Sequence, residues 1–241
     1  MEQHKTKSAP LPSIKRLPLY LGFLRDLQRN KREFVSCTHI AEAFNFESVQ
    51  VRKDLAFTGI IGKPKVGYSV PVLIDVIEDF LGWNNLNNAF LVGAGSLGSA
   101  FLGYERFQEY GLKILAAFDV DAAKIGVEIH GKEVLPLEKL PELAARMHVH
   151  IAILTVPAAA AQAAAEILVA GGVKGILNFA PVQLNLPEDV IVEDVNLAVS
   201  FAALSTRLYQ LQRGLKTEPT PDHADHLSHC GLCAAGKSSQ S

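Results

Sequence analysis

Residues 91–98 read LVGAGSLG, an apolar run that breaks into Gly93, Gly95 and Gly98. This stretch limits the fold more than any other in the chain. A buried strand turns directly into a helix only where the backbone is free, and the G-x-G-x-x-G spacing places that freedom where a dinucleotide needs it. Gly93 permits the tight turn, Gly95 lets backbone approach a pyrophosphate, and Gly98 allows close packing of helix on strand. Ala94, Ser96 and Leu97 complete the loop, and the helix that follows offers free N–H groups to phosphate oxygens. A second strand, Lys113–Phe118, ends at Asp119, 26 residues after Gly93. An acid at that point accepts hydrogen bonds from a ribose 2′-hydroxyl and repels a 2′-phosphate. No Arg follows it directly, so NAD(H) is expected over NADP(H). The same loop also suits a Rossmann-like domain that takes coenzyme A or no nucleotide.

Beyond the loop, strand and helix alternate. Ala89–Val92, Lys113–Phe118, His150–Val156, Gly175–Phe179 and Val190–Val195 read as buried strands, and Ser96–Tyr110, Glu138–Met147 and Ala158–Ala170 read as helices. Continuous apolar strands alternating with helices predict a doubly wound parallel sheet. Asn196–Gln212 is then an amphipathic helix with Leu197, Phe201, Leu204, Leu208 and Leu211 on one stripe. No later element could cover that stripe, which invites a partner subunit.

The N-terminal part has a different character. Residues 13–68 hold ten Lys/Arg against five Asp/Glu, a local +5 that leaves −7 for the rest of a chain whose net charge is −2. A basic module on an acidic remainder suits a polyanion. The order is an amphipathic helix over Ser13–Gln28, with Pro18 acceptable only near its first turn. A short helix over His39–Phe44 follows, then a tight turn at 45–47 and a helix over Ser48–Phe57. Helix, turn and helix, the last beginning at Ser48 with Gln50, Arg52 and Lys53 on its outer side, is the pattern of a major-groove reader. Gly59–Tyr68 reads as a β-hairpin wing that carries Lys63 and Lys65, Pro71–Leu81 is helical again, and 82–88 has linker composition.

Together RLPLY (16–20), QVRKDL (50–55), VGY (66–68), VGAGSLGSA (92–100), FDVD (118–121), TVP (155–157) and KGILNFAPV (174–182) give the chain a family resemblance. It resembles the Rex family of redox-sensing transcriptional repressors over residues 14 to about 210. The resemblance implies a winged helix that binds double-stranded DNA at a palindromic operator as a homodimer. It also implies a Rossmann domain that senses NADH against NAD, and a C-terminal helix exchanged between subunits. Carried over by position, Thr155, Val156, Pro157, Asn178, Phe179 and Ala180 surround the nicotinamide half; the residues alone read better as plain strand-end packing. Pro64 and Lys65 stand where the family wing has Arg-Gly. The family's Arg on the first helix and Asp before the exchanged helix are here Gly22 and Asn196, while its Tyr corresponds to Tyr104. A charge pair that has lost both ends implies NADH binding only weakly coupled to operator release, or sensing of another signal.

The domain reading is a winged helix over 1–82, a Rossmann domain over 83–195, an exchanged helix over 196–214 and a tail over 215–241. The tail is polar and Pro-containing, yet its HADHLSHCGLC run offers His226, His229, Cys230 and Cys233 to zinc or to thiol redox chemistry. Three cysteines give no disulfide framework. No apolar run approaches a membrane span and the N-terminus has no signal-peptide core, so a cytoplasmic protein is expected. Two other classes stay open: an NAD-dependent dehydrogenase or coenzyme A-binding ligase subunit, and a DNA-binding regulator that senses metal or thiol state through the tail. Against an enzyme, the Rossmann part leaves no substrate domain, and His148 and His150 open a strand at the end of the sheet away from the glycine loop.

Overall fold

The computed structural model describes residues 9–84 and 87–215, which form two compact units divided between Leu81 and Gly82. In the first, α1 (Leu11–Arg29) leads to β1 (Phe34–Val35), α2 (Cys37–Phe44), α3 (Ser48–Phe57), β2 (Tyr68–Ser69) and α4 (Val70–Phe80). The Ser36 hydroxyl caps α2 by accepting from the His39 N–H at 3.1 Å, and Asn45 ends it in the left-handed region (φ 54°). Leu17, Tyr20, Leu21 and Leu24 of α1 are buried with Ile40, Phe44, Val51, Leu55, Leu73 and Ile77, so one apolar stripe from each helix closes a single core.

Two expectations about this unit need correction. Pro18 lies in the interior of α1, not at its start. Burial of Leu17 on one side and of Tyr20 and Leu21 on the other holds the helix through the missing hydrogen bond. The expected wing hairpin is reduced to a single bridge between Lys63 and Gly67. The ladder near it is β1 with β2, antiparallel, Val35 opposite Tyr68. Pro64 has no N–H for a ladder, and Lys65 (φ 62°) and Gly67 (φ 101°) turn the chain back instead.

The second unit is β3 (Asn87–Val92), α5 (Ser96–Leu102), β4 (Leu112–Asp119), β5 (Glu128–Ile129), β6 (Lys132–Pro136), α6 (Leu140–Met147), β7 (Ile151–Leu154), α7 (Ala158–Ala170), β8 (Gly175–Asn178), β9 (Ile191–Asp194) and α8 (Leu197–Gln212). Its sheet runs β5-β6-β4-β3-β7-β8-β9, parallel throughout except for β5. Phe90, Val92 and Phe118 pack on α6 and α7 at one face, while Leu91, Ala117 and Ile153 pack with Leu102 of α5 at the other. That is the doubly wound layering. The expected helix over Ser96–Tyr110 is broken: α5 stops at Leu102 and a 3-10 segment covers Glu105–Tyr110. Gly103 sits where a Cβ would strike the His130 ring at 2.8 Å, and the Lys132 ammonium donates to the Leu102 carbonyl at 2.8 Å, capping the helix end. Among the described residues, no helix is long and apolar enough to cross a membrane.

Candidate functional site

Order reverses at β3: the chain leaves it for β4 on one side and later returns to β7 on the other. The loops after β3 and β7 therefore part at the carboxyl ends of the strands, where open α/β sheets hold their ligands. There the second unit has a cavity of about 700 Å³. Gly93, Gly95, Leu97, Asp119, Thr155, Val156, Pro157 and Phe179 line it; the first four were candidates from the glycine loop and the second strand, the other four from the family resemblance.

Three glycines shape the loop beneath it for three reasons. Gly93 turns at φ 100°, with Thr155 and Val156 where a side chain would go. A Cβ on Gly98 would lie 2.0 Å from the Gly93 carbonyl oxygen. A Cβ on Gly95 would meet nothing within 4 Å. The bare backbone at Gly95 is therefore not required by packing, and it leaves room for a group to lie against the start of α5. The Thr155 hydroxyl donates to the Gly93 carbonyl at 2.8 Å and fixes the turn.

Asp119 is buried at the end of β4. Its carboxylate accepts from the Ala94 N–H at 2.8 Å, the Asp121 N–H at 2.9 Å and the Lys124 ammonium at 3.2 Å. Burial pushes its pKa up, but the Asp121, Lys124 and Ala94 donors outweigh that and hold it below the ordinary carboxylate value. Asp119 is thus a fixed anion beside a half-exposed cation at the cavity edge. Sequence reading missed Lys124, although its position five residues after Asp119 was a usable signal. It also missed Leu137 and the α7 residues Ala160, Ala164 and Ile167, which give the cavity an apolar wall.

Ala94, Ser96, Gly98 and Asn178 do not line this cavity. Ala94 and Gly98 are buried beneath it, and Ser96 begins α5. Asn178 is 1% exposed and both of its amide N–H donors are used: Nδ2 donates to the Val182 carbonyl at 3.0 Å and to Asp194 at 2.8 Å, while Oδ1 accepts from the Ala180 N–H at 3.0 Å. It shapes the 179–182 loop. That loop, with Ala180 and Leu197, bounds a second cavity of about 400 Å³ beside Asn196, which caps α8 by accepting from the Ala198 N–H. His148 and His150 lie at the opposite end of β7, where His150 Nδ1 meets the Gly172 carbonyl.

In the first unit, Arg52 and Lys53 are exposed on α3, and Ser48 and Gln50 are half-buried on it. Lys63 and Lys65 are exposed on the wing turn, and the Lys63 ammonium sits 5.6 Å from the centre of the Phe34 ring. The recognition-type helix is held from beneath. Arg16 of α1 makes a two-point pair with the buried Asp54 of α3, 2.7 Å at each contact, and the Tyr20 hydroxyl donates to Asp54 at 2.8 Å. The Arg16 pKa is raised by the Asp54 pair; that of Tyr20 is raised by burial and by Asp54. His226, His229, Cys230 and Cys233 lie outside the described residues. Among the described residues, no cluster of His, Cys, Asp and Glu could hold a metal ion.

Comparison with known proteins agrees with this division. Residues 84–182 match the family described as "CoA binding domain", and residues 9–56 match "Putative DNA-binding protein N-terminus". A redox-sensing transcriptional repressor Rex of Treponema denticola is 47% identical over 204 residues, 85% of this chain and 97% of that protein. The crystal structure of RSP in complex with beta-NAD+ and operator DNA superposes with a TM-score of 0.81 at 33% identity, covering 86% of this chain and 96% of that one. RSP in complex with beta-NADH gives a TM-score of 0.78 at 33% identity, covering 87% and 100%.

Proposed function

This chain belongs to the Rex family of redox-sensing transcriptional repressors, and from that membership we propose how its own residues divide the work. The first unit grips operator DNA through Ser48, Gln50, Arg52 and Lys53 on α3, with Lys63 and Lys65 at the wing. The second unit reads the NADH/NAD+ balance in the 700 Å³ cavity. The observation that carries this reading is the pairing in that cavity of an unfilled backbone position at Gly95 with a fixed carboxylate at Asp119. The loop takes the pyrophosphate, Asp119 takes the ribose hydroxyls, and Thr155, Val156, Pro157, Phe179 and Ala180 face the nicotinamide half. When bound, the nicotinamide supplies a redox state to be read. Coenzyme A, which the matched family's description suggests, carries a ribose phosphate that the Asp119 anion disfavours.

The partner for α8 is a second copy of this chain. Leu197, Phe201, Leu204, Leu208 and Leu211 are each between 53 and 69% exposed, and no residue of the helix is buried. Two copies bring two reading helices to a palindromic site. Leu204→Glu with Leu208→Glu is expected to turn a sedimenting dimer into a monomer; an unchanged dimer refutes this use of α8.

The deciding experiment is anisotropy of a labelled duplex enriched from a random pool by the full chain, titrated with NAD+, NADH and coenzyme A side by side. NADH is expected to weaken binding, NAD+ to leave it, and coenzyme A to do nothing. Asp119→Ala should erase the NADH response while leaving DNA binding intact. An NADH response that survives Asp119→Ala refutes the assignment.

A further inference from the structure

The Arg16–Asp54 pair reaches one residue further, to the side chain of Gln50. With its amide oriented toward α1, Gln50 Oε1 accepts from Arg16 Nη1 at 3.0 Å and from Nη2 at 3.3 Å. Arg16 is itself fixed, since Nε and Nη2 both hold the Asp54 carboxylate and only 11% of its side chain is exposed. A carbonyl oxygen has two lone pairs, and Nη1 and Nη2 each aim an N–H at it, the Nη2 group also lying 3.4 Å from the Ser13 hydroxyl. The amide nitrogen, with two donors and no acceptor, is what Gln50 has left to offer. Gln50 stands on α3 just before the exposed Arg52 and Lys53, half-buried between the Arg16 cluster and the outer face.

A glutamine ordinarily reads adenine by a two-point contact: its nitrogen donates to N7 while its oxygen accepts from N6. Guanine instead presents two acceptors, N7 and O6. We propose that Gln50 is a specificity-determining residue for DNA, and that Arg16, as a positioning residue, turns it into a donor-only reader that selects guanine and cannot make the adenine contact. This deepens, and rests on, the operator-binding reading of the first unit.

The test compares the full chain with Gln50→Ala and Gln50→Glu on duplexes enriched from a random pool by the wild-type protein. Each position is then varied, and melting curves verify that the variants fold. One guanine per half-site is expected to lose its preference in Gln50→Ala while the other positions keep theirs. Replacing that guanine by 7-deazaguanine should weaken the wild type by roughly tenfold and leave Gln50→Ala unmoved. Gln50→Glu keeps the acceptor toward Arg16 and puts an acceptor where the donors were, so its preference at that position should move to cytosine, whose N4 donates. An adenine at that position, with binding lost when its 6-amino group is removed, overturns the proposal. A profile unchanged by both substitutions overturns it too, with operator binding itself intact. Failure of the wild type to enrich any duplex refutes the operator-binding reading, and this proposal with it.

Discussion

Alanine at Gly95 and alanine at Gly98 are the same chemical change three residues apart, and the structure gives them opposite consequences. At Gly95 the backbone has φ −77°, which any residue adopts, and an added Cβ meets nothing within 4 Å. Stability should hold, or rise by about 0.5 kcal/mol because the unfolded chain loses freedom. The methyl group instead occupies the space in which a pyrophosphate would lie against the loop. Separating phosphate from one backbone donor forfeits a charge-assisted hydrogen bond of about 1.5–3 kcal/mol, roughly 10- to 150-fold in affinity. At Gly98 the Cβ would come within 2.0 Å of the Gly93 carbonyl oxygen, with the Thr155 hydroxyl at 3.0 Å. The main obstacle is backbone, so α5 must move away from β3, an overpacking cost of about 3 kcal/mol that lowers Tm by roughly 10 °C. Calorimetric titration with NADH beside thermal melting separates the two. A Gly95→Ala protein that melts like wild type and binds NADH within threefold of it refutes the placement of the pyrophosphate. A Gly98→Ala protein with an unchanged Tm refutes the packing argument.

Three further outcomes are expected. Asp54→Ala leaves the Arg16 guanidinium with its principal partner gone, and should destabilise the first unit by about 3–5 kcal/mol, seen as an early unfolding transition in the full chain; a single unshifted melt contradicts it. Because the folded-state pKa of Asp119 is depressed, its contribution is present above the unfolded carboxylate value near ~4 and is lost as pH falls through the lower folded value. NAD+ affinity should therefore be flat from about pH 8 to 5, and a decline within that window refutes the role of its charge. NADH should lower operator affinity by less than about a hundredfold, roughly 2.7 kcal/mol of coupling, because Gly22 and Asn196 stand where the family resemblance places an Arg and an Asp. Gly22→Arg has open space for its Cβ and Asn196→Asp keeps the α8 cap, so the double variant should respond more strongly to NADH than wild type.

What the sequence made legible was whatever a single residue type must do alone. Only glycine makes the turn at Gly93 and the close approach at Gly98, so the loop, the strand before it and the start of the helix after it were readable from the sequence. The bounds of α3 and α7 agree with those expected: strong formers, mostly alanine, fill α7, while in α3 the inward Val51 and Leu55 recur at helical spacing. Features that depend on two distant residues were not readable. The end of α5 is set by His130 and Lys132 reaching back from the β5–β6 hairpin, which was itself missed. Its turn, His130 at φ 49° and Gly131 at φ 74°, has the double positive φ of a two-residue hairpin, but a His-Gly pair is a weak signal for it. Likewise, Gln50 reads from sequence as an ordinary outward glutamine; its oxygen is committed by Arg16, 34 positions away.

The wing shows the same division at one residue. Lys65 is held at φ 62°, a left-handed conformation that glycine adopts freely and that costs an L-residue roughly 1–2 kcal/mol. The family resemblance places glycine there. The turn itself is retained, Gly67 donating to the Lys63 carbonyl at 3.0 Å, so the strain is carried by a residue whose side chain is exposed and charged. A lysine where the backbone prefers glycine gains nothing in folding; under the proposed function the strain is offset by the charge it brings to DNA. Lys65→Gly should therefore raise the stability of the first unit by about 1 kcal/mol. It should also weaken DNA binding and reduce the steepness of its salt dependence by about 2 in the log–log slope of a dimer, one released counterion per copy. Melting curves and salt titrations on the same protein check both halves. A Lys65→Gly variant that is more stable and binds DNA as before, with the same slope, would leave the strain without a purpose and refute the role of the wing lysine.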